Sequence, residues 1–503
     1  MNENSRPILK PKHAWLAVER VEPPKRSAEN RRADFQQTHL PYDEATARDQ
    51  ARRCIQCPNP VCVSACPVCT PIVELLALTA DGQFTEAAEL FFSSHCIPEI
   101  ASHTCIGGRA CERACLLNAK TEAVPIRAIT RFLLDYGWKH GLAEPALAPG
   151  NGQRVAVIGS GIGGLVTADL LSRHGYTITV FDSRLKPGGR VMNGLPGFRV
   201  DKELVERRLE LLKQRGIRFQ MGVSFGQNVK LSELRRDFDA VFLGFGLADA
   251  IPLHVPGAEL RGVCQAFPYV CQNTLSSCAA ENLRPGRPAG EPIPDQPSVD
   301  VRGRRVVVLG GGDTAMDVLR IAIRNGAADA LCLYRRDAAN LPADAEEYDD
   351  ALEEGAHFRF LAKPKAIIGN AAGQVTLVRC LEMELDEPDR SGRRSVKPVP
   401  GSEFDVPADV VFVAYGFTAP KLPQTDDFAL LSTDGRGFLT VDGNGMTNFP
   451  GVFAGGSIVR GPASLCDVVL DARAAAAAMD WYLSQHRPAV PAAAPAPAPN
   501  PCG

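Results

Sequence analysis

The chain has almost no net charge for its length. Over 503 residues, 55 Lys and Arg stand against 58 Asp and Glu, leaving −3. That balance excludes the basic surface that nucleic acid or an anionic membrane demands. No run reaches the ~18 consecutive apolar residues of a membrane-spanning helix. The polar opening MNENSRPILKPKH does not read as a secretory signal. The expectation is a cytoplasmic protein with no membrane span and no nucleic-acid partner, long enough for two to four domains. Cysteine is plentiful but uneven: of sixteen, nine lie between Cys54 and Cys115. In a reducing compartment that density points to metal rather than to a disulfide framework.

Two stretches carry nucleotide-binding patterns. In RVAVIGSGIGGLVTADLLSRHGYTITVFDSRLKPGGR, an apolar strand from Val155 to Ile158 runs into Gly159-x-Gly161-x-x-Gly164. A helix to about His174 and a strand from Thr177 to Phe181 follow, ending on Asp182. The first glycine makes the tight turn, the second lets a pyrophosphate approach the backbone, and the third packs helix on strand. The helix start offers N–H groups to phosphate, and the acid is placed for a ribose. Strand, helix and acid in register raise this above a chance glycine turn. A second unit, RRVVVLGGGDTAMDVLRIAIRNGAADALCLYRRD, places Gly310-x-Gly312-x-x-Ala315 after the strand Val306–Leu309. Its next strand, Ala330–Tyr334, ends on Arg335 and Arg336 rather than an acid. Two guanidiniums there suit a 2′-phosphate, which predicts NADPH rather than NADH.

The cysteine block reads Cys54-x2-Cys57-x4-Cys62-x3-Cys66-Pro67, then Cys105-x5-Cys111-x3-Cys115. Close thiolates on a tight loop, the last before a proline, are what a cuboidal iron–sulfur cluster requires. In two-cluster ferredoxins the fourth cysteine of such a run serves the other cluster. By that logic Cys66 leaves the first group and one of the later cysteines completes it. A zinc site from Cys54/Cys57 and Cys62/Cys66 is the competing reading. Cys69 and Cys96 fall outside the minimal pattern and read as small buried residues.

Elsewhere, residues 1–50 read as a loosely packed lead-in, with a helix over 41–53. A helical interval covers Ile72 to Phe92, and 141–153 (GLAEPALAPGNGQ) is a linker. Lys202 to Gly216 is helical, and Asp239 to Gly246 is a buried strand. Cys264, Cys271 and Cys278, spaced by seven, would form one stripe on a helix, best read as core packing or chance. Residues 283–303 form a proline-rich loop. Asp409 to Tyr415 is a strand leading into Gly416. Gly451 to Gly456 precedes Ser457 and a helix from Ser464 to Leu483. Residues 487–503 are a Pro/Ala tail in which Cys502 is inert.

The cysteine block, GSGIGG, GGGDTAMD, YRR with LPADAEE, and GVFAGG occur in one order. In this the chain resembles the small (beta) subunit of NADPH-dependent glutamate synthase over about residues 40–485. More broadly it resembles the FAD and iron–sulfur reductases, including the N-terminal part of dihydropyrimidine dehydrogenase. The resemblance implies an α/β fold: an N-terminal helical two-cluster iron–sulfur domain plus two nested Rossmann-like, glutathione-reductase-like domains. Its boundaries would be 1–140 for iron–sulfur, 154–250 with 417–485 for FAD, 251–416 for NAD(P)H, and 486–503 for the tail. It further implies that Cys54, Cys57, Cys62 and Cys115 hold one [4Fe–4S] cluster, with Cys66, Cys105 and Cys111 on the other. Gly159, Gly161, Gly164, Asp182, Gly189, Arg190, Gly416, Gly456 and Ser457 would line FAD. Gly310, Gly312, Asp313, Thr314, Arg335 and Arg336 would hold NADPH, or NADH.

Three departures from the family pattern follow. Thr130 stands where relatives carry the Glu or Gln that completes the second cluster. Cys69 or Cys96 would then replace it, or one iron would stay open. Ser457 replaces an Asp near the flavin ribityl chain, and Asp182 replaces a Glu. The expected activity is electron transfer between a nicotinamide nucleotide and a larger redox subunit in a hetero-oligomer. That partner is a glutamate synthase large subunit or another, 2-oxoacid or metal-dependent, oxidoreductase. No catalytic acid or base is required. A disulfide oxidoreductase is the first rival, but neither nucleotide-binding half offers a C-x-x-C or C-x4-C. A flavin-free docking subunit, with Ser457 as the scar, is the second.

Overall fold

The computed structural model describes residues 11–66, 68–105, 108–141, 147–281, 299–388 and 394–486. Parts of the expected linker and proline-rich loop, the whole tail from 487, and Cys502 lie outside them.

Two parallel sheets organise the chain. The first takes β1 (Arg154–Ile158), β2 (Thr177–Asp182), β3 (Arg218–Met221), β4 (Ala240–Leu243) and, far along the chain, β15 (Val452–Ala454). Its order is β15-β4-β1-β2-β3. The second takes β6 (Val263–Gln265), β7 (Arg305–Leu309), β8 (Asp329–Tyr334), β9 (His357–Phe360) and β13 (Val410–Val413), in the order β6-β13-β7-β8-β9. In each, the strand order reverses beside the glycine-bearing strand, at β1/β4 and at β7/β13. Ligands of open parallel sheets bind in the crevice at that reversal. Neither sheet has a wet face. Val155 and Val157 enter one apolar cluster, Ala156 and Ile158 the opposite one. Val306 and Val308 divide from Val307 and Leu309 in the same way. Continuous apolar runs are what two covered faces require.

The chain leaves the first sheet after β4 and returns through a two-stranded link of β5 (Asp249–Ala250) with β14 (Phe417–Thr418). Between β9 and β13 an antiparallel meander is inserted: β10 (Ala362–Gly369), β11 (Val375–Pro388) and β12 (Arg394–Pro407).

The N-terminal part is helical. The expected interval Ile72–Phe92 is two helices, Ile72–Ala80 and Phe84–Ser94, because Gly82 turns with φ +78° between them. They pack with the helix Ile126–His140 around Leu75, Phe91, Ile129 and Leu133. In its described residues, from 11 on, the lead-in is not loose. Its helix Ala28–Ala33 lays Arg31, 1 % exposed, against Asp350 and Glu354 of the second Rossmann unit. Phe35 stacks beside Phe198 at 6.3 Å, and Thr38 N–H donates to Phe198 O. Polar composition concealed this, because the buried anchors are charged and their partners lie some 300 residues away. The supposed cysteine stripe is also corrected: Cys264 sits on β6, whereas Cys271 is buried in the helix Ala266–Glu281. The Cys278 side chain lies outside the described residues.

Candidate functional site

The three glycines of the first motif do three different jobs. Gly159 turns with φ +101°, and a Cβ there would sit 2.6 Å from Gly244 O at the end of β4. A Cβ on Gly164 would lie 1.8 Å from Gly159 O, so the helix Ile162–Arg173 could not approach its strand. Gly161 is different. Its backbone is extended, it caps the helix without a side chain, and a Cβ there meets nothing within 4 Å. The fold therefore demands glycine at 159 and 164, whereas at 161 it leaves open space before a ring of helix N–H groups. Such a space in front of a helix start suits a phosphate group. Gly189 closes one side, its Cβ position 2.5 Å from Gly161 Cα.

Asp182 sits at the crevice and braces the loop. Its carboxylate accepts from Ser160 N (2.7 Å), Ser160 Oγ (2.6 Å) and Arg184 N (2.9 Å). A carboxylate has about four acceptor positions, so capacity remains for a ribose hydroxyl. Arg190 is turned away from the loop, donating to Leu247 O and lying over the Phe417 and Phe267 rings. Burial pulls its pKa down to about 10. Gly456 takes φ +75° before Ser457, which opens the short helix Ser457–Arg460. Gly416 turns with φ +93°, and its carbonyl accepts from Ile251 N where the chain re-enters the first unit.

The second motif repeats the design. Gly310 has φ +129° with a Cβ position 2.4 Å from Ala414 O at the end of β13. Gly312 caps the helix Asp313–Arg324 with extended backbone and open space, and Ala315 is fully buried. Asp313 accepts from Asp344 N (2.9 Å), holding the LPADAEE loop; Thr314 is half-buried in the same turn. Arg335 is exposed at the strand end. Arg336 buries an Nε that has no hydrogen-bond partner. An orphaned guanidinium donor at this position fits an anionic group on the nucleotide.

The cysteines divide into two groups in space. Cys54, Cys57, Cys62 and Cys115 line one apolar pocket with Val61, Leu76, Val124 and Ile126. Burial pushes the Cys54 thiol up to about 11 and raises Cys57 and Cys62, with the neighbouring thiols adding to each. Apolar walls without a cation make bare thiolates costly, and a cationic iron–sulfur core would offset that cost. Among the described residues no three His, Cys, Asp or Glu converge on one metal position. A single zinc ion needs such convergence, whereas each ligand of a cubane reaches its own iron. Cys66 and Cys105 lie near Cys111, whose thiol is raised chiefly by burial. Cys66 Sγ contacts Thr70 Oγ1 (3.4 Å), itself bonded to His95 Nε2 (2.7 Å). None of the cysteines named here is in a disulfide.

Buried charge fixes the helical part against both Rossmann units. Glu99 and Arg208 form a two-pronged pair, both below 3 % exposed, that ties the helix Pro98–Thr104 to the first unit. Glu346, in the first turn of the helix Ala345–Glu353, pairs with Arg127, clasping the second unit. Arg127 and Arg208 carried no local sequence signal, since each partner is distant in the chain. Cys466, on the helix Leu465–Gln485, also escaped the sequence reading; its Sγ lies 3.1 Å from Cys105 Sγ.

Residues 31–142 match the family described as dihydropyrimidine dehydrogenase domain II, 4Fe-4S cluster. Residues 153–476 match the pyridine nucleotide-disulphide oxidoreductase family. The small chain of NADPH glutamate synthase from Escherichia coli K12 is 36 % identical over 93 % of this chain and 98 % of its own. The beta subunit of the NADP(+)-dependent formate dehydrogenase of Moorella thermoacetica is 31 % identical over 84 % of this chain and 60 % of its own. Among solved structures, Mycobacterium tuberculosis FprA in complex with NADPH aligns with a TM-score of 0.55 at 21 % identity. It covers 67 % of this chain and 85 % of that one, a likeness of fold.

Proposed function

The chain belongs to the glutamate synthase small-chain family of NADPH-dependent oxidoreductases, and on that premise we propose that it passes electrons between NADPH and a larger redox subunit. FAD would lie in the cradle of Gly159, Gly161, Gly164 and Gly189, with Asp182 at the ribose and Gly416, Gly456 and Ser457 nearby. NADPH would lie at Gly310, Gly312 and Thr314, with Arg335 and Arg336 on the 2′-phosphate. Two [4Fe–4S] clusters would be held by the two cysteine groups. The domains would then be 1–140, 154–250 with 417–485, and 251–416, a division supported by the return of β15 to β4 in the first sheet. When bound, the flavin exchanges hydride as an electron pair and the clusters exchange single electrons.

What the chain itself contributes is placement. The glycine cradles hold two dinucleotides by their phosphates at the strand-reversal points of two sheets. The link β5/β14 joins those sheets, and Arg190, spanning from Leu247 O to the Phe417 ring, stiffens the junction. No proton transfer is asked of a side chain. The observation that carries the reading is the buried Glu99–Arg208 pair, which locks the cysteine-bearing helices to the first nucleotide unit. A free-standing NADPH oxidase would need no such attachment.

Reducing conditions for so many thiols accord with a cytoplasmic location, and no described helix is long and apolar enough to cross a membrane. The partner is a glutamate synthase large subunit or, as the formate dehydrogenase relative suggests, another oxidoreductase. Anaerobic mixing of the purified holoprotein with NADPH tests the reading. Flavin bleaching followed by one-electron reduction of ferricyanide is expected, and Cys57→Ser should slow the second phase. A protein that folds and loads iron but holds no flavin would overturn it in favour of a docking subunit. Co-purification under anaerobic conditions then distinguishes the two partners.

A further inference from the structure

The second cysteine group is one ligand short. Cys66, Cys105 and Cys111 offer three sulfurs, and a cubane has four irons to satisfy. Three side chains in the helical part were candidates for the fourth position: one is bonded within its own helix, one is buried in a separate apolar cluster and one is exposed. Thr130 donates its hydroxyl to Arg127 O within its own helix, at 2.9 Å. Cys96 is buried in the apolar cluster of Val68, Ile97 and Ile100, and the charges acting on it are Asp169, Arg173, Arg473 and Arg208 rather than the other thiols. Cys69 is exposed, on a residue with φ +53°.

A sulfur does arrive, from the other end of the chain. Cys466 is 4 % exposed and stands in the first turn of the helix Leu465–Gln485, 3.1 Å from Cys105 Sγ. Cys66 also lies close enough to act on its charge. The turn is fixed from both sides. Ser464 and Asp467 form a reciprocal cap, with Ser464 Oγ to Asp467 Oδ2 at 2.6 Å. Seven residues on, two turns along the same face, Arg473 donates to Val68 O and Ser94 O of the helical part. On the adjoining face Val468 lies 3.1 Å from the Cβ position of Gly456 and 3.5 Å from that of Gly163. One helical turn thus touches both the cysteine group and the glycine loop of the first nucleotide unit.

We propose that Cys466 is the fourth ligand of the second cluster, supplied by the nucleotide-binding unit rather than by the cysteine-bearing helices. The proposal rests on the two-cluster reading above and adds the residue that completes it. On binding, the Cys466 thiol gives its proton to solvent and its sulfur takes the iron that Thr130 cannot. The two sulfurs must turn onto separate irons, and a change of rotamer moves a cysteine sulfur by about 3 Å without the backbone. The helix that carries Cys466 would then be bonded to the cluster on one face while packing against the dinucleotide loop on another.

The test uses full-length protein, produced anaerobically with ⁵⁷Fe, as wild type, Cys466→Ala and Cys466→Ser. Iron and sulfide are counted, and Mössbauer and EPR spectra are taken before and after reduction. Wild type should carry about eight irons per chain. Cys466→Ala should lose about four, or show a three-iron cluster in the oxidised state. The signal from the pocket of Cys54, Cys57, Cys62 and Cys115 should persist and report a folded chain. Cys466→Ser should keep the iron with an altered EPR signal, because an oxygen can replace the sulfur. Cys69→Ala and Cys96→Ala should match wild type; loss of iron in either instead would overturn the assignment. Spectra of Cys466→Ala and Cys466→Ser identical to wild type would overturn it while leaving the electron-transfer reading intact. A Cys105–Cys466 disulfide found by mass spectrometry in the iron-loaded chain would also overturn it. Wild type with only four irons would remove the second cluster and this inference together, and wild type with none would remove the electron-transfer reading as well.

Discussion

Alanine at Gly161 and alanine at Gly164 should fail for opposite reasons. At Gly164 the added Cβ would lie 1.8 Å from Gly159 O. Real Cβ contacts do not fall below 3.0 Å, so helix and strand must part by at least 1.2 Å, the difference of the two values. Both elements belong to a fully buried core, so the separation costs about 3 kcal/mol or more. At Gly161 the backbone is extended and the new methyl meets no protein atom. The flavin-free protein should therefore be unchanged or gain about 0.5 kcal/mol from a less flexible unfolded chain. The methyl instead occupies the space that a pyrophosphate must enter, and a similar overlap, about 3 kcal/mol, weakens flavin binding roughly 100-fold. Urea denaturation of flavin-stripped protein and the flavin-to-protein absorbance ratio read the two effects separately. Gly164→Ala should lower the midpoint, and Gly161→Ala should keep it while losing flavin. A Gly161→Ala protein that retains full flavin, or unfolds as readily as Gly164→Ala, would refute the reasoning.

Replacing Arg336 by Ala removes a donor whose charge-assisted bond is worth about 1.5–3 kcal/mol. KM for NADPH should rise about 10- to 100-fold with little change for NADH, and steady-state kinetics that show equal losses for both would remove the 2′-phosphate role. His39 gives a pH test. Burial, with Arg131 and Arg127 nearby, holds its pKa down to about 4 despite Glu346 at 3.2 Å. The unfolded chain, titrating near 6.5, then binds more protons between pH 6.5 and 4, so stability falls as pH drops through that window, by on the order of 3 kcal/mol at its foot. Glu346, held at about 2 against its burial by Arg127, stays ionised throughout. Burial also holds His95 down to about 4 and His103 to about 3, in the same direction. Urea midpoints measured from pH 7.5 to 4.5 should therefore show a combined slope that His39→Gln reduces but does not abolish; an equal slope in the variant would exclude a contribution from His39.

The nucleotide units were legible because their requirements are local. A tight turn, a close helix–strand contact and an apolar run covered on both faces each write themselves into neighbouring residues. β1, β2, β7 and β8 accordingly lie within a residue of their expected ends, and the helix expected over Ser464–Leu483 runs from Leu465 to Gln485. The helical interval was split by Gly82, whose left-handed turn lies inside an otherwise helical pattern. Spacing within the cysteine block likewise announced a metal site, since ligands on one loop must follow one another closely. Pairings across hundreds of residues have no such local trace. Nothing near Arg31 signals that a polar lead-in is pinned to Asp350 and Glu354, or that Glu99 must meet Arg208. Cys466 lies far outside the cysteine block, and only the packing of the helix Leu465–Gln485 on the helical part brings its sulfur beside Cys105. Local steric and hydrophobic rules are short-ranged and so can be read along the chain; ion pairs and ligand sets assembled from distant segments exist only once the tertiary fold has brought them together.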